Sequence, residues 1–146
     1  MAITSAICNS FKQEILEAEH NFTASTGNTF NLALYTSSAT LGASTTAYAS
    51  TNEITNTSGT AYSAKGKALT SVTPTLDSST AVCDFADVSW TSASFTANGC
   101  LIFNDSHATD GSVCAIAFGG DKTVSSGTFT IQFPAAAATT AIIRIA

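Results

Sequence analysis

The chain has 146 residues, enough for one hydrophobic core and too few for two independent ones. Hydrophobic residues make up 45%, which places it among folding chains, yet charged residues reach only 10%, well under the roughly 25% usual in soluble domains. The net charge of −5 leaves Lys12, Lys65, Lys67, Lys122 and Arg144 as the only cations; a nucleic-acid binder needs them clustered to displace counterions from phosphates, so DNA and RNA binding are set aside.

At the N-terminus, MAITSAICNSFKQEILEAEH has no basic n-region and no unbroken apolar core, so it does not read as a secretory signal. No stretch approaches the ~20 apolar residues of a membrane helix, and no membrane partner is expected. Ile7, Phe11 and Ile15 recur at i, i+4 and i+8, with Cys8 and Leu16 broadening the same face. That spacing predicts one amphipathic helix over 4–21, capped by Thr4 or Ser5. His20 stands at its C-terminal end as a dipole-compensating cap.

Strand alternation begins at Phe30, with Phe30, Leu32 and Leu34 facing one way and Asn31, Ala33 and Tyr35 the other. Residues 36–66 are mostly Ser, Thr, Ala and Gly, with Tyr48, Ile54 and Tyr62 as isolated anchors, and predict a long surface loop. Further strands are predicted near 67–75, 80–88, 91–97, 99–104, 113–118, 126–133 and 140–146. Turns are signalled at Leu76-Asp77-Ser78, Asn98-Gly99, Asp110-Gly111 and Gly119-Gly120. Short strands at about ten-residue spacing predict a mainly β fold, an antiparallel β-sandwich or jelly-roll-like barrel with one N-terminal α-helix, as a single domain over 1–146. Cys100–Phe103 and Val113–Phe118 are apolar on both faces and so must be covered on both sides, one side by the helix and the rest by a partner subunit.

Few groups point to chemistry. Four cysteines show no C-x-x-C spacing and read as small buried hydrophobes in preference to a Cys100–Cys114 bridge. Asp84 and Asp87, at i, i+3 in a strand, face opposite ways and suit no shared acid–base task. One of them is expected to pair with Arg144, whose half-buried guanidinium in the last strand needs a carboxylate. Residues 104–111 gather oxygen and imidazole groups but miss the calcium-loop spacing, and read as a polar hairpin turn without an ion. There is no G-x-S-x-G elbow and no phosphate loop. No catalytic residue, metal or cofactor is expected. The sequons at Asn21, Asn56 and Asn104 read as chance matches in a chain this rich in Asn, Ser and Thr.

The runs AICNSFKQEILEAEHNF, FNLALYTSSATLGASTTAYASTNEI, CDFADVSW and FGGDKTVSSGTFTIQFPAAAATTAIIRIA, in this order over nearly the whole chain, resemble a family of small virion structural proteins of tailed bacteriophages. The resemblance implies a virion component assembled in the host cytoplasm and supplies no catalytic residues. The reading that follows is a non-enzymatic capsid decoration or cement protein. Its partners would be other virion proteins, the major capsid protein first, and further copies of itself. Its assembly surface would include Ile7, Phe11, Ile15, Tyr48 and Tyr62. The alternatives are a tail, neck or fibre component, or a glycan-binding host-recognition module using Trp90, Tyr35, Tyr48 and Tyr62.

Overall fold

A computed structural model describes residues 2–55 and 59–146. The chain is mainly β, 48% strand against 4% helix, and its antiparallel sheets form a sandwich-like fold. One sheet has five strands in the order β1 (Ala6–Ile7), β7 (Ser112–Ile131), β6 (Val88–Asn104), β2 (Phe30–Tyr35), β3 (Lys67–Ala68). The other has three, in the order β4 (Ser71–Asp77), β5 (Thr80–Phe85), β8 (Ile143–Ile145). Between them lies an aromatic core. Phe30 on the large sheet stands 5.9 Å from Phe85 on the small one, and Phe22 stacks on Phe30 at 4.2 Å. Trp90 packs against Tyr62 and Phe95 at 6.0 and 6.4 Å.

The predicted 4–21 helix is a composite. Ala6 and Ile7 pair with Ala115 and Cys114 as β1, and only Asn9–Glu14 are helical (α1), with turns continuing to Ala18 at φ 61°. The 3.6-residue stripe is met by a strand followed by a helical turn, because β7 presents an edge whose N–H and C=O groups need partners. Ser5 is not a cap: its Oγ accepts the Ala117 N–H at 2.9 Å. The α1 N-cap is Cys8, which makes no side-chain capping bond.

Two predicted turns are strand interior. At Asn98-Gly99 the chain runs straight on through β6. A Cβ on Gly99 would lie 2.6 Å from the Ile116 carbonyl and 2.8 Å from Ile3, so glycine is there for close approach, not reversal. Gly119 and Gly120, at φ 73° and 140°, sit inside β7. Ala97 pairs with Lys122 but Gly99 with Ala117, so residues 118–121 of β7 stand against the single Asn98 and form an enlarged bulge at the glycines. The β6–β7 reversal lies at residues 105–111, where a hairpin turn is predicted.

The doubly apolar segments are covered by the chain's own loops. Cys100, Leu101, Ile102 and Phe103 are all fully buried, with Tyr48 of the 36–66 segment stacked on Phe103 at 4.7 Å. Val113 is buried as well, and its carbonyl accepts the Cys8 N–H at 2.9 Å. Only Ile116, Ala117 and Phe118 stay half-buried, so the partner subunit inferred for this region is not required.

All four cysteines are free and buried. Cys100 pairs with Ile116, and Cys114 with Ile102, so the two are not cross-strand neighbours. Burial pushes the thiols of Cys83 and Cys100 up to about 12, and those of Cys8 and Cys114 upward too. These protons stay on the folded chain while the unfolded chain loses them. Stability is therefore whole below the ordinary thiol range and is lost as pH rises through it. The melting temperature is expected to fall steadily as pH rises from about 9 toward 12, all four thiols acting in the same direction. A melting temperature that stays level to about pH 11 would contradict this burial.

Candidate functional site

The two sheets do not close on each other everywhere. Between α1 and the inner face of the small sheet is an open cleft of about 550 Å³. Ile15 and Phe22 line one wall; Ala81, Cys83, Ile143 and Ile145 line the other. Strand register builds the second wall. Leu76 pairs with Ala81 and Ala81 with Ile145, so these three form one cross-strand row, and Cys83 with Ile143 forms the next on the same face. The edge strand β4 contains Pro74 at a bulge, where a missing N–H is tolerated.

The large apolar side chains exposed among the described residues gather on the elements around this cleft. Leu16 is 88% exposed beside Ile15; Val72 and Leu76, 45% and 72%, lie on β4; Ile145, 59%, is on β8. Register separates them: Leu76 and Ile145 share the cleft face of the small sheet with Ala81, Val72 pairs with Asp84 on the opposite face, and of the four only Ile145 lines the cleft. Leu16 thus leaves the apolar face it was assigned to.

Of the residues assigned to an assembly surface from sequence, Phe11 and Ile15 line the cleft, and His20 lines it beside them. Ile7 is half-buried in β1, and Phe11 is buried with its ring 4.9 Å from that of His20. Tyr62 is buried and Tyr48 half-buried, and both are tied inward by Glu53, which the sequence reading passed over. Tyr62 Oη–H donates to Glu53 Oε1 at 2.7 Å and Tyr48 Oη–H to Oε2 at 2.6 Å; the Lys65 N–H donates to Oε1 at 2.8 Å. Tyr62 Oη in turn accepts the Leu34 N–H of β2 at 2.9 Å. Burial, and then the bond to Glu53, push the Tyr48 phenol up to about 12 and the Tyr62 phenol further. These tyrosines anchor the 36–66 segment to the sheet. Trp90, Tyr35 and Tyr62 are buried, so they and Tyr48 form no exposed stacking platform for a sugar.

The expected pair of Arg144 with Asp84 or Asp87 does not form. Arg144 Nη1–H donates to the Ala138 carbonyl at 3.0 Å, while Asp84 Oδ1 accepts the Phe85 N–H and Asp87 Oδ1 the Phe133 N–H. Arg144 is exposed, so water and one carbonyl serve it, and no carboxylate is demanded. The turn at 105–111 is held by Lys65, whose Nζ lies 2.8 Å from both Asp105 Oδ1 and Asp110 Oδ2. The hydrogen bonds it donates to Asp105 and then to Asp110 hold its ammonium well above the usual lysine range.

His20 is not an exposed cap. It is buried, and its Nε2 lies 2.7 Å from Glu14 Oε2 and its Nδ1 3.2 Å from Asn104 Nδ2. Asn104 Oδ1 accepts the Ser106 N–H, which orients the amide with Nδ2 toward His20. Nδ1 therefore accepts, and Nε2–H donates to Glu14. His107 lies parallel to His20 at 5.8 Å and repeats the pattern, with Nε2 on Glu19 at 2.6 Å and Nδ1 accepting the Thr109 N–H. With every ring nitrogen engaged inside the protein, neither imidazole offers one to a substrate. Among the described residues no group of three or more His, Cys, Asp or Glu side chains could hold a metal ion. Of the sequons, Asn104 is fully buried, and Asn56 lies outside the described residues.

Comparison with protein-family models, curated proteins and solved structures finds no match to this chain.

Proposed function

We propose that this weakly charged β-sandwich is a non-enzymatic structural component of a tailed-bacteriophage virion, a decoration or cement protein that stabilises the capsid by docking on its neighbours. The observation that carries the assembly role is the open apolar cleft itself, with Leu76 and Ile145 left exposed in the cross-strand row that runs along its small-sheet wall. Burying such side chains against a partner is worth about 1.5–3 kcal/mol each and adds to particle stability by mass action. The virion setting rests on the sequence resemblance, which spans nearly the whole chain. Internal anchoring of the 36–66 segment and the N-terminal segment supplies the rigidity a cementing part needs, because little ordering entropy is then lost on docking.

Quantitative mass spectrometry of purified particles, with labelling to locate the chain, tests this reading. The expected result is a copy number of the order of the major shell protein and a position on the shell. A few copies confined to the tail would move the protein to the runner-up role of tail, neck or fibre component. Absence from the particle would end the virion reading altogether.

A further inference from the structure

His20 and His107 lie face to face, 5.8 Å apart and 9° from parallel, each with its Nε2–H on a glutamate of the N-terminal segment. Gly111 lets the groups meet: a Cβ there would stand 3.0 Å from His107 Nδ1 and 3.1 Å from Glu14 Oε2. At His20 the surroundings have no place for a second proton. Nδ1 faces the Asn104 amide nitrogen at 3.2 Å, so an added Nδ1–H would point at another donor. Turning the amide over gives no relief. Its oxygen would then face the Glu19 carbonyl and Asn28 Oδ1, both acceptors, and the Ser106 N–H would lose its partner. Asn28 Oδ1 is itself fixed by the Asn21 N–H at 2.7 Å. The His20 side chain is wholly buried among Phe11, Phe22 and Phe30, so water cannot solvate a charge on it. His107 takes a second proton more easily, because Thr109 Oγ1 lies 3.1 Å from its Nδ1 and can accept. That cation then opposes any charge on the ring stacked against it.

We infer that the His20–His107 pair is an acid-operated latch: uncharged, it fastens residues 9–28 to the β6–β7 hairpin, and charging it releases that segment together with the α1 wall of the cleft. The other charges nearby do not cancel the effect. Glu14 and Glu19 attract an imidazolium, but at Nε2, where a hydrogen is already present; they supply no acceptor at Nδ1. Asp105 and Asp110 of the same turn are both held by Lys65, and the titratable group facing His20 across the cleft is the Cys83 thiol. The sign follows from the donors. A released segment takes the proton on His20 Nδ1 freely and a fastened one does not, so fastening weakens as pH falls through the imidazole range, about pH 8 to 5. The latch belongs to the folded chain, whatever that chain docks on.

Amide hydrogen exchange on the purified chain at about pH 7.5 and about pH 5.5 is the measurement, expressed as protection factors so that the intrinsic pH dependence of exchange drops out. Protection over residues 9–28 is expected to fall about tenfold or more at the lower pH, while β2 and β6 keep theirs. His20→Gln retains a donor for Glu14 and cannot charge, so its protection over 9–28 is expected to be the same at both pH values. Should that variant fail to fold, His107→Gln takes its place. It retains a donor for Glu19 and removes the second cation, and its fall is expected to shrink to about threefold or less. Wild-type protection that stays level over 9–28 overturns the latch, as does a fall shared by all the strands alike. So does a fall of wild-type size in either variant, which would trace the response to the carboxyl groups of Glu14 and Glu19.

Discussion

Replacing Glu53 by alanine is expected to lower unfolding stability by about 3–5 kcal/mol, a large share of what a domain of this size has. The side chain is a single acceptor for three donors drawn from three places in one loop. Removing it leaves the hydroxyls of Tyr62 and Tyr48 and the Lys65 N–H without their acceptor, in surroundings that range from half-buried to fully buried. Each orphaned donor costs about 1–3 kcal/mol when water cannot replace the lost partner. The damage extends beyond the loop, since Tyr62 also serves the Leu34 N–H of β2 and packs on Trp90. Glu53→Gln keeps the shape and one acceptor oxygen and is expected to lose only about 1–2 kcal/mol. Urea denaturation of the three proteins measures both values. If Glu53→Ala unfolds within about 0.5 kcal/mol of wild type, the segment is held by apolar contacts alone and the carboxylate is incidental.

Why Glu53 was invisible in the sequence says what kind of information a single chain carries. Strands were legible where one residue's neighbours settle its environment. Phe30–Tyr35 and Thr80–Phe85 follow from alternation, and the reversal near Asp110-Gly111 from turn chemistry. The errors came where tertiary contact overrode local preference. Ile7, Phe11 and Ile15 carry helical spacing, but an open edge on β7 drew Ala6 and Ile7 into a strand. Asn98-Gly99 has turn composition, yet its glycine answers the approach of Ile3 and Ile116 from elsewhere in the chain. Glu53 and Asn104 look like ordinary polar residues, because their partners lie at separations with no period. The cleft was illegible for the same reason: its walls come from residues near 15–22, 81–83 and 143–145, and only folding brings them together. Leu16 carried a usable signal, an extra apolar residue just off the i, i+4 stripe, that was absorbed into the helix face.

Asn104→Leu is expected to be the other severe substitution, again by about 3–5 kcal/mol, and its cost should not add to that of His20→Leu. Asn104 is fully buried, and its amide links four things. Nδ2 lies 3.1 Å from the Glu19 carbonyl, 3.2 Å from Asn28 Oδ1 and 3.2 Å from His20 Nδ1, while Oδ1 accepts the Ser106 N–H. Leucine has nearly the same shape, so little packing is lost and the penalty is almost entirely polar groups stranded away from water. His20→Leu removes a group bonded on one side to Glu14 and on the other to Asn104, so each single substitution already breaks the bond the other would break. In a double-mutant cycle the pair is therefore expected to cost about 1–2 kcal/mol less than the two single losses together. Strict additivity would mean that Asn104 acts through Glu19 and Asn28 alone and that His20 is held by its aromatic neighbours. Hydrogen exchange locates the effect. Loss of protection in both variants should concentrate in residues 9–28, the segment this network fastens to the β6–β7 hairpin, because that segment carries the α1 wall of the cleft and Leu16 with it.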